Sequence, residues 1–347
     1  MNFLACDLGG TKVLLAIYEE ISKNSTPELI TKKRYLSTEW NSIYEIVEDF
    51  LEKECKNNYS PKTACFGIAG PVENSNAKIT NLNWEISEFK LKKNFNFEMV
   101  DLINDFAVLI YGIPYLHRRQ YKTIQQGNPS IDINNKLHTI VGAGTGLGIS
   151  RGIISDQNIL TLPSEGGHVE FAPKTKEEWE IKQWLKGYLN IERVSNERII
   201  SGEGLSNIAR WKFETNNIQD HPFREFLKKE KESILSKRSL AVEICKLSKQ
   251  GDPLMTNIET IWFNAYSSYI GDVAIHELCF GGLWIAGGTA PKHFKKFISD
   301  SFLNQFSNKG RLKNIVKSIP IRVILDEEFG LHSAACRAKM LLNNNKK

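Results

Sequence analysis

Paired cysteines are missing from this sequence. Its six cysteines stand singly at Cys6, Cys55, Cys65, Cys245, Cys279 and Cys336. With no Cys-x-x-Cys, neither a zinc ribbon nor a redox pair is indicated. Those in apolar runs, such as Ala64-Cys65-Phe66 and Leu278-Cys279-Phe280, are expected to be buried free thiols of a reducing compartment. No apolar stretch reaches 18 residues, which excludes a membrane-spanning helix. Leu4-Ala5-Cys6 follows no basic or apolar leader and meets Asp7 at once, so it is not read as a lipoprotein signal. The 45 basic residues barely exceed the 40 acidic ones. That excess lies in scattered lysines and the tail Asn343–Lys347, with no basic run interleaved with aromatics of the kind that grips nucleic acid. A soluble cytoplasmic protein is expected, with no nucleic acid and no membrane among its partners. Two common nucleotide loops are absent as well. No Gly-Lys-Ser/Thr occurs, and Gly-x-Gly-x-x-Gly fails because Leu147 and Ile149 stand where its third glycine would fall.

At 347 residues the chain exceeds the usual span of one core, and two domains with a cleft between them are expected. It opens on a strand, Phe3 to Asp7, turns at Gly9-Gly10 and resumes over Val13–Tyr18, with Leu29–Leu36 as a third extended run. Ile43, Ile46, Val47, Phe50 and Leu51 keep the spacing of an amphipathic helix. Thr63–Ile68 and Met99–Ile103 read as strands, the second ending at Asn104-Asp105 before a helix over Phe106–Gly112. At Leu137 the opening repeats: a strand to Val141, a glycine turn, and a strand over Ile149–Ile154. The echo predicts a duplicated architecture. Residues 174–270 read as mostly helical, with the polar stretch Asn216–Arg238 as a surface excursion. Gly281–Ala286 and Ile319–Leu325 are late strands, and Leu331–Leu342 is a closing helix. The lobes are expected at 1–110, joined by a C-terminal helix of about 331–347, and at 111–330.

Three glycine turns punctuate this pattern. Asp7-Leu8-Gly9-Gly10-Thr11-Lys12 ends a strand with two glycines whose amides can face outward to cradle phosphate oxygens. Asp7 beside them can hold a magnesium ion or its waters. By itself the segment reads equally as a plain hairpin turn. In the second turn Gly142, Gly144, Gly146 and Gly148 alternate around Thr145, more glycine than a hairpin requires. The third, Ala286-Gly287-Gly288-Thr289-Ala290-Pro291, is a strand-to-helix turn bare enough for a planar adenine to lie against. Two phosphate turns at corresponding places in two lobes match an α/β architecture of two ribonuclease-H-like domains. Each would be a mixed sheet flanked by helices, with a nucleotide clamped in the cleft.

Two polar clusters complete the inventory. Asp105 stands where a strand meets a helix, the edge at which α/β folds place ligands. A carboxylate there can take the proton of a hydroxyl attacking a γ-phosphate, with Asn104 bonding neighbouring hydroxyls. Asp105 also suits a helix N-cap, and the two roles are compatible. In Pro163-Ser164-Glu165-Gly166-Gly167-His168 a carboxylate and an imidazole flank two glycines, so both can converge on one point. That pair suits a polyol, whose hydroxyls donate and accept. As zinc ligands they lack further Cys or His nearby. Glu197, alone, reads as an acid on a helix surface.

Taken in order, these segments resemble the bacterial-type glucokinases, of the actin, hexokinase and heat-shock chaperone ATPase superfamily. The resemblance is carried by Asp7-Leu8-Gly9-Gly10-Thr11, Gly67-Ile68-Ala69-Gly70-Pro71-Val72, Asn81 with Trp84, and Asn104-Asp105-Phe106. It continues through Gly142 to Gly148, Glu165-Gly166-Gly167-His168-Val169, Glu197-Arg198-Ile199-Ile200-Ser201-Gly202 and Gly287-Gly288, and covers nearly the whole chain. The glycine turns are shared across the superfamily, whereas Glu-Gly-Gly-His with Asn-Asp-Phe and Glu-Arg-x-x-Ser-Gly is far more specific. The resemblance implies an actin-like ATPase fold and phosphorylation of glucose to glucose 6-phosphate by ATP with Mg2+. It implies Asp105 as general base, and Asn104, Glu165, His168 and Glu197 as glucose ligands. Asp7, Gly9, Gly10, Thr11, Lys12, Gly144, Thr145 and Gly146 would surround the Mg-ATP phosphates, Asp7 on the metal side, with Gly287 and Gly288 also at the nucleotide. A homodimer is a further family expectation. Ser164, Ala290-Pro291 and Leu331-His332-Ser333 depart from the family's usual residues, which bears on nucleotide preference rather than acid–base chemistry. The runner-up is a related kinase of another hexose or phosphoryl donor. A non-catalytic sugar sensor would be expected to have lost Asp105, and a DNA-binding regulator would need a module ahead of Phe3.

Overall fold

The computed structural model describes residues 1–22, 25–55, 59–79, 82–128, 136–155, 158–232 and 237–344. Asn81, one of the residues carrying the resemblance, lies outside them. The chain forms two compact units: Met1–Tyr121 with Ser150–Pro163 and Asp326–Lys347, and Lys122–Ile149 with Ser164–Leu325.

The first unit is built on a five-stranded mixed sheet. Its strands are β1 (Asn2–Leu8), β2 (Lys12–Glu19), β3 (Glu28–Leu36), β4 (Thr63–Ile68) and, after the small antiparallel sheet of β5 (Val72–Glu73), β6 (Asn76–Ile79) and β7 (Trp84–Ser87), β8 (Met99–Asn104). The order is β3-β2-β1-β4-β8, with β1–β2 and β2–β3 antiparallel and β1–β4 and β4–β8 parallel. The central strands are apolar on both faces: all six residues of β4 are buried, as expected for strands covered on two sides. The helix Ile43–Phe50 packs Ile43, Ile46, Val47 and Phe50 inward, as their spacing predicts. The closing helix Phe329–Asn344 also belongs to this unit. Its Ala338 carbonyl accepts the Thr63 hydroxyl at 2.8 Å. Gly112 lies against its first turns, where an added Cβ would stand 2.2 Å from the Ser333 Oγ. Register aligns Leu8 with Ile68 and Ile68 with Asn104, so the ends of the three parallel strands share one edge.

In the second unit β9 (Tyr121–Gln125) and β10 (Leu137–Ala143) join β13 (Gly282–Ile285) and β14 (Ile321–Ile324) in the order β10-β13-β14-β9. Both β10–β13 and β13–β14 are parallel. The strand β11 (Leu147–Ile154) begins beside β10 and runs on into the first unit, where it pairs antiparallel with β12 (Ile159–Leu162). Through the second core runs the helix Pro253–Glu277, started by an Asp252 cap on the Met255 amide and a proline at its first position. Trp262, Tyr266 and Ile270 on it are fully buried. The polar stretch Asn216–Arg238 is mostly exposed, as a surface excursion would be, but it is anchored at one point. It contains the helix Phe223–Lys231, and Phe223 is fully buried with its ring centroid 5.7 Å from that of Phe213. One aromatic buries its whole area, and Glu230 on the same helix pairs with the buried Arg210 at 2.9 Å, while most of the other charged residues of the stretch stay exposed. Residues 233–236 of that stretch lie outside the described ones.

Candidate active site

In the first unit the shared strand edge collects Asp7, the Gly9-Gly10 turn, Gly70 and Asn104-Asp105. The ladder extends past the strand ends: Ala69 donates to the Leu8 carbonyl at 2.9 Å and Asp105 to that of Ile68 at 2.8 Å, fixing the backbone that carries Asp105. Capping falls to Asn104 rather than to Asp105. The Asn104 Oδ1 accepts from the amides of Phe106 at 3.0 Å and Ala107 at 3.1 Å, and its Nδ2 donates to the Gly70 carbonyl at 3.2 Å. With both oxygen lone pairs engaged, Asn104 keeps one N–H to offer a ligand. This side-chain turn delays the regular helix, which runs over Leu109–Gly112 rather than from Phe106.

Asp105 is half-buried, and its carboxyl is pushed up to about 7 by burial, and next by the negative charge of Asp7, while the amides of Phe106 and Asp105 pull the other way. Asp7 is raised as well, chiefly by burial, with Lys12 opposing and Glu328 adding to the rise. Gly330, in the first turn of the closing helix, lies so near that an added Cβ would stand 3.4 Å from the Asp7 Oδ2. Among the described residues no hydrogen bond or ion pair ends on the Asp7 carboxylate, whose hard oxygens fit a magnesium ion or its waters. The neighbouring turn closes with Gly9 N–H donating to the Lys12 carbonyl at 3.0 Å, and Thr11 is exposed.

The second unit holds the other predicted residues in one connected group. The Gly144 amide donates to Gly146 O at 2.8 Å, and Gly202 donates to Gly144 O at 2.9 Å. Nothing lies within 4 Å of a Cβ built on Gly144, and Thr145 is exposed, so this turn offers open backbone and a hydroxyl. Glu197 sits directly beneath it. Its Oε2 accepts the Leu147 amide at 2.9 Å and would meet a Cβ on Gly146 at 2.5 Å, so one carboxylate oxygen braces the turn. The helical turn Gly166–His168 packs on the same strand start, and a Cβ on Gly167 would fall 2.0 Å from Leu147 O. Glu165 and His168 meet across it, Oε2 to Nε2 3.8 Å, both well exposed. Val169 O, accepting from the Asn196 amide and Nδ2, each at 2.9 Å, ties this loop to the start of the Glu197 helix.

Gly287 and Gly288 are exposed at the end of β13. Gly287 has φ +83°, which a side chain would strain. The Thr289 hydroxyl latches the turn to Ala143 O at 2.7 Å. Two supports escaped the sequence reading. The Tyr269 hydroxyl donates to Gly166 O at 2.9 Å, and the Tyr266 hydroxyl accepts the Ala143 amide at 3.1 Å. On the helix Pro253–Glu277 they look like any core aromatics, and their spacing carries no functional signal.

The glucokinase family profile matches residues 4–341. The chain belongs to the glucokinase family. A glucokinase of Nostoc sp. (strain PCC 7120 / SAG 25.82 / UTEX 2576) is 35% identical over 345 residues, covering 97% of this chain and 99% of its own. The crystal structure of a glucokinase from an Antarctic psychrotroph superposes with a TM-score of 0.79 at 25% identity, covering 97% of this chain and 98% of that one. A ROK family glucokinase from Streptomyces griseus, in complex with glucose and AMPPNP, shares the fold at a TM-score of 0.61 and 16% identity, covering 98% and 100% of the two chains. The glucokinase reading is therefore that of a hexose kinase of mixed α/β fold, using ATP to phosphorylate glucose. Among the described residues no helix is long and apolar enough to cross a membrane.

Proposed function

We propose that this glucokinase transfers the γ-phosphoryl group of ATP to the 6-hydroxyl of glucose with Asp105 as general base. One observation carries the assignment. Asp105 is fixed at the end of a parallel strand beside a second carboxylate, and its own carboxyl is pushed up to about 7. A base is most effective when its pKa lies near the working pH. The carboxylate takes the hydroxyl proton as the O–P bond to the sugar forms and the bond to the ADP oxygen breaks. The free N–H of Asn104, the Glu165 carboxylate, the His168 imidazole and the second oxygen of Glu197 bond sugar hydroxyls. Amides of the Gly9-Gly10 and Gly144–Gly146 turns, with the hydroxyls of Thr11 and Thr145 and the Lys12 ammonium, hold phosphate oxygens. Gly287 and Gly288 leave room for the adenine. Asp7 would hold Mg2+, which when bound neutralises charge on the phosphates. The glucose and AMPPNP in the Streptomyces griseus structure support this substrate pair.

A coupled assay across a panel of hexoses and phosphoryl donors tests the reading, with glucose and ATP expected to give the highest kcat/KM. A clear preference for another pair would overturn it. The base predicts a pH limb. Protonation removes the carboxylate that accepts the hydroxyl proton, so kcat/KM for glucose should fall as pH drops through about 7, approaching tenfold per pH unit below that point. A flat profile there would exclude Asp105 as the base. His168→Ala should raise the KM for glucose by about 2- to 12-fold, the weight of one hydrogen bond of about 0.5–1.5 kcal/mol, with the KM for ATP much less affected.

A further inference from the structure

One cluster of metal-binding atoms lies outside all the roles above, wholly within the second unit. Cys245 comes from the helix Lys237–Lys249, Glu259 from the helix Pro253–Glu277, and His293 from the segment just after the third glycine turn. The Cys245 Sγ is 3.9 Å from the His293 Nε2, which is 3.0 Å from the Glu259 Oε1. All three donor atoms lie within 4.8 Å of one another. We propose that Cys245, Glu259 and His293 form a binding site for a thiolate-accepting divalent cation, Zn2+ above all, separate from the phosphoryl-transfer residues.

The spacing fits such an ion. Zinc–nitrogen and zinc–oxygen legs of about 2.0 Å set neighbouring tetrahedral ligands roughly 3.3 Å apart, and a sulfur leg of about 2.3 Å sets it roughly 3.5 Å from nitrogen. The observed separations bracket these values, so small side-chain rotations complete three corners. The outer partners are those a metal site needs. The His293 Nδ1 lies 3.0 Å from the Thr289 carbonyl, and donation there holds the tautomer that presents Nε2 inward. The second Glu259 oxygen is engaged by the Lys296 ammonium at 2.8 Å and by the Ser248 hydroxyl, leaving Oε1 for the ion. Glu259 and His293 are buried, whereas Cys245 is half-buried and Lys296 is 35% exposed. That leaves a path for entry and a fourth corner for water. The other five cysteines are all buried, so Cys245 is the accessible thiol. Binding releases the thiol proton, and any proton on Nε2, to solvent.

An ion-paired histidine bracing the turn would account for Glu259, Lys296 and His293, and would leave Cys245 no more than a long hydrogen-bond partner of the ring. Cobalt distinguishes the two. Co2+ titrated into the full chain, stripped of metal with a chelator, should bind one to one with a near-ultraviolet cobalt–thiolate charge-transfer band that Zn2+ displaces. Cys245→Ser, checked for native circular dichroism, should lose the band and bind Co2+ at least about tenfold more weakly, since loss of even an outer-shell partner costs about 10- to 100-fold. Zn2+ should raise the Tm of the parent and not of the variant. A parent without the band, or a Cys245→Ser protein that keeps the parental band or affinity, overturns the proposal.

Discussion

Asp105→Asn is expected to lower kcat by about 10²–10⁴-fold, the usual weight of a positioned general base, while raising Tm above neutral pH. The two effects have one cause. A carboxyl whose folded pKa is pushed up to about 7 exceeds its unfolded value of about 3.9, so between those values the folded protein binds more protons than the unfolded chain. Stability then falls as pH rises through that window and stays reduced above it. The amide carries no charge at any pH and removes both this cost and the repulsion from Asp7. Loss of activity with a gain in Tm marks a site that keeps a strained charge for chemistry. Near-parental turnover in Asp105→Asn would show that the residue serves only the strand end. An unchanged Tm above pH 7 would contradict the buried-charge account.

Gly167→Ala should be nearly as damaging by a different route. Its Cβ would fall 2.0 Å from the Leu147 carbonyl oxygen, a backbone atom with no room to move without shifting β11. Forcing in the methyl should cost about 1–3 kcal/mol of stability. It should also displace Glu165 and His168, which the same short turn carries. Misplacement by about 1 Å can cost about 10²-fold, so kcat/KM for glucose is expected to fall by about that factor. Thermal melts and steady-state kinetics check both parts. A variant with parental kcat/KM would show that the loop tolerates displacement and that its two polar residues are not sugar ligands.

Much of the architecture is legible in the chain because burial leaves a strong local pattern. The continuous apolar runs at Phe3–Asp7, Val13–Tyr18 and Thr63–Ile68 all fall in observed strands, and the helix at Ile43 is set by a spacing that leaves one dry face. What local pattern does not reveal depends on distant partners. Phe223 looks like one aromatic in a charged run, and only the second core shows what it fills. Ser150–Pro163 groups with the first unit, yet the unbroken β11 carries no mark at the crossing. Glu197 gives an oxygen to an amide 50 positions away, a bond no spacing rule anticipates. Asn104 and Asp105 are neighbours with similar side chains, and the sequence alone does not say which caps and which remains for chemistry. The difference arises because Asn104 faces Gly70 O and two following amides, whereas Asp105 lies beside another acid.

The closing helix has a consequence for the order in which the protein can be made. It covers β1 and β4 of the first sheet, and its Ala338 carbonyl takes the Thr63 hydroxyl. Yet it is synthesised only after the whole second unit. At about 5–20 residues per second, the first sheet leaves the ribosome on the order of 10–50 s before the helix that covers it. During that interval the apolar strands on its open face need another cover, so the nascent chain should be a chaperone client until the helix emerges. A circular permutant that joins the old termini and opens the chain just before Phe329 would bring the helix out first and should lift that dependence.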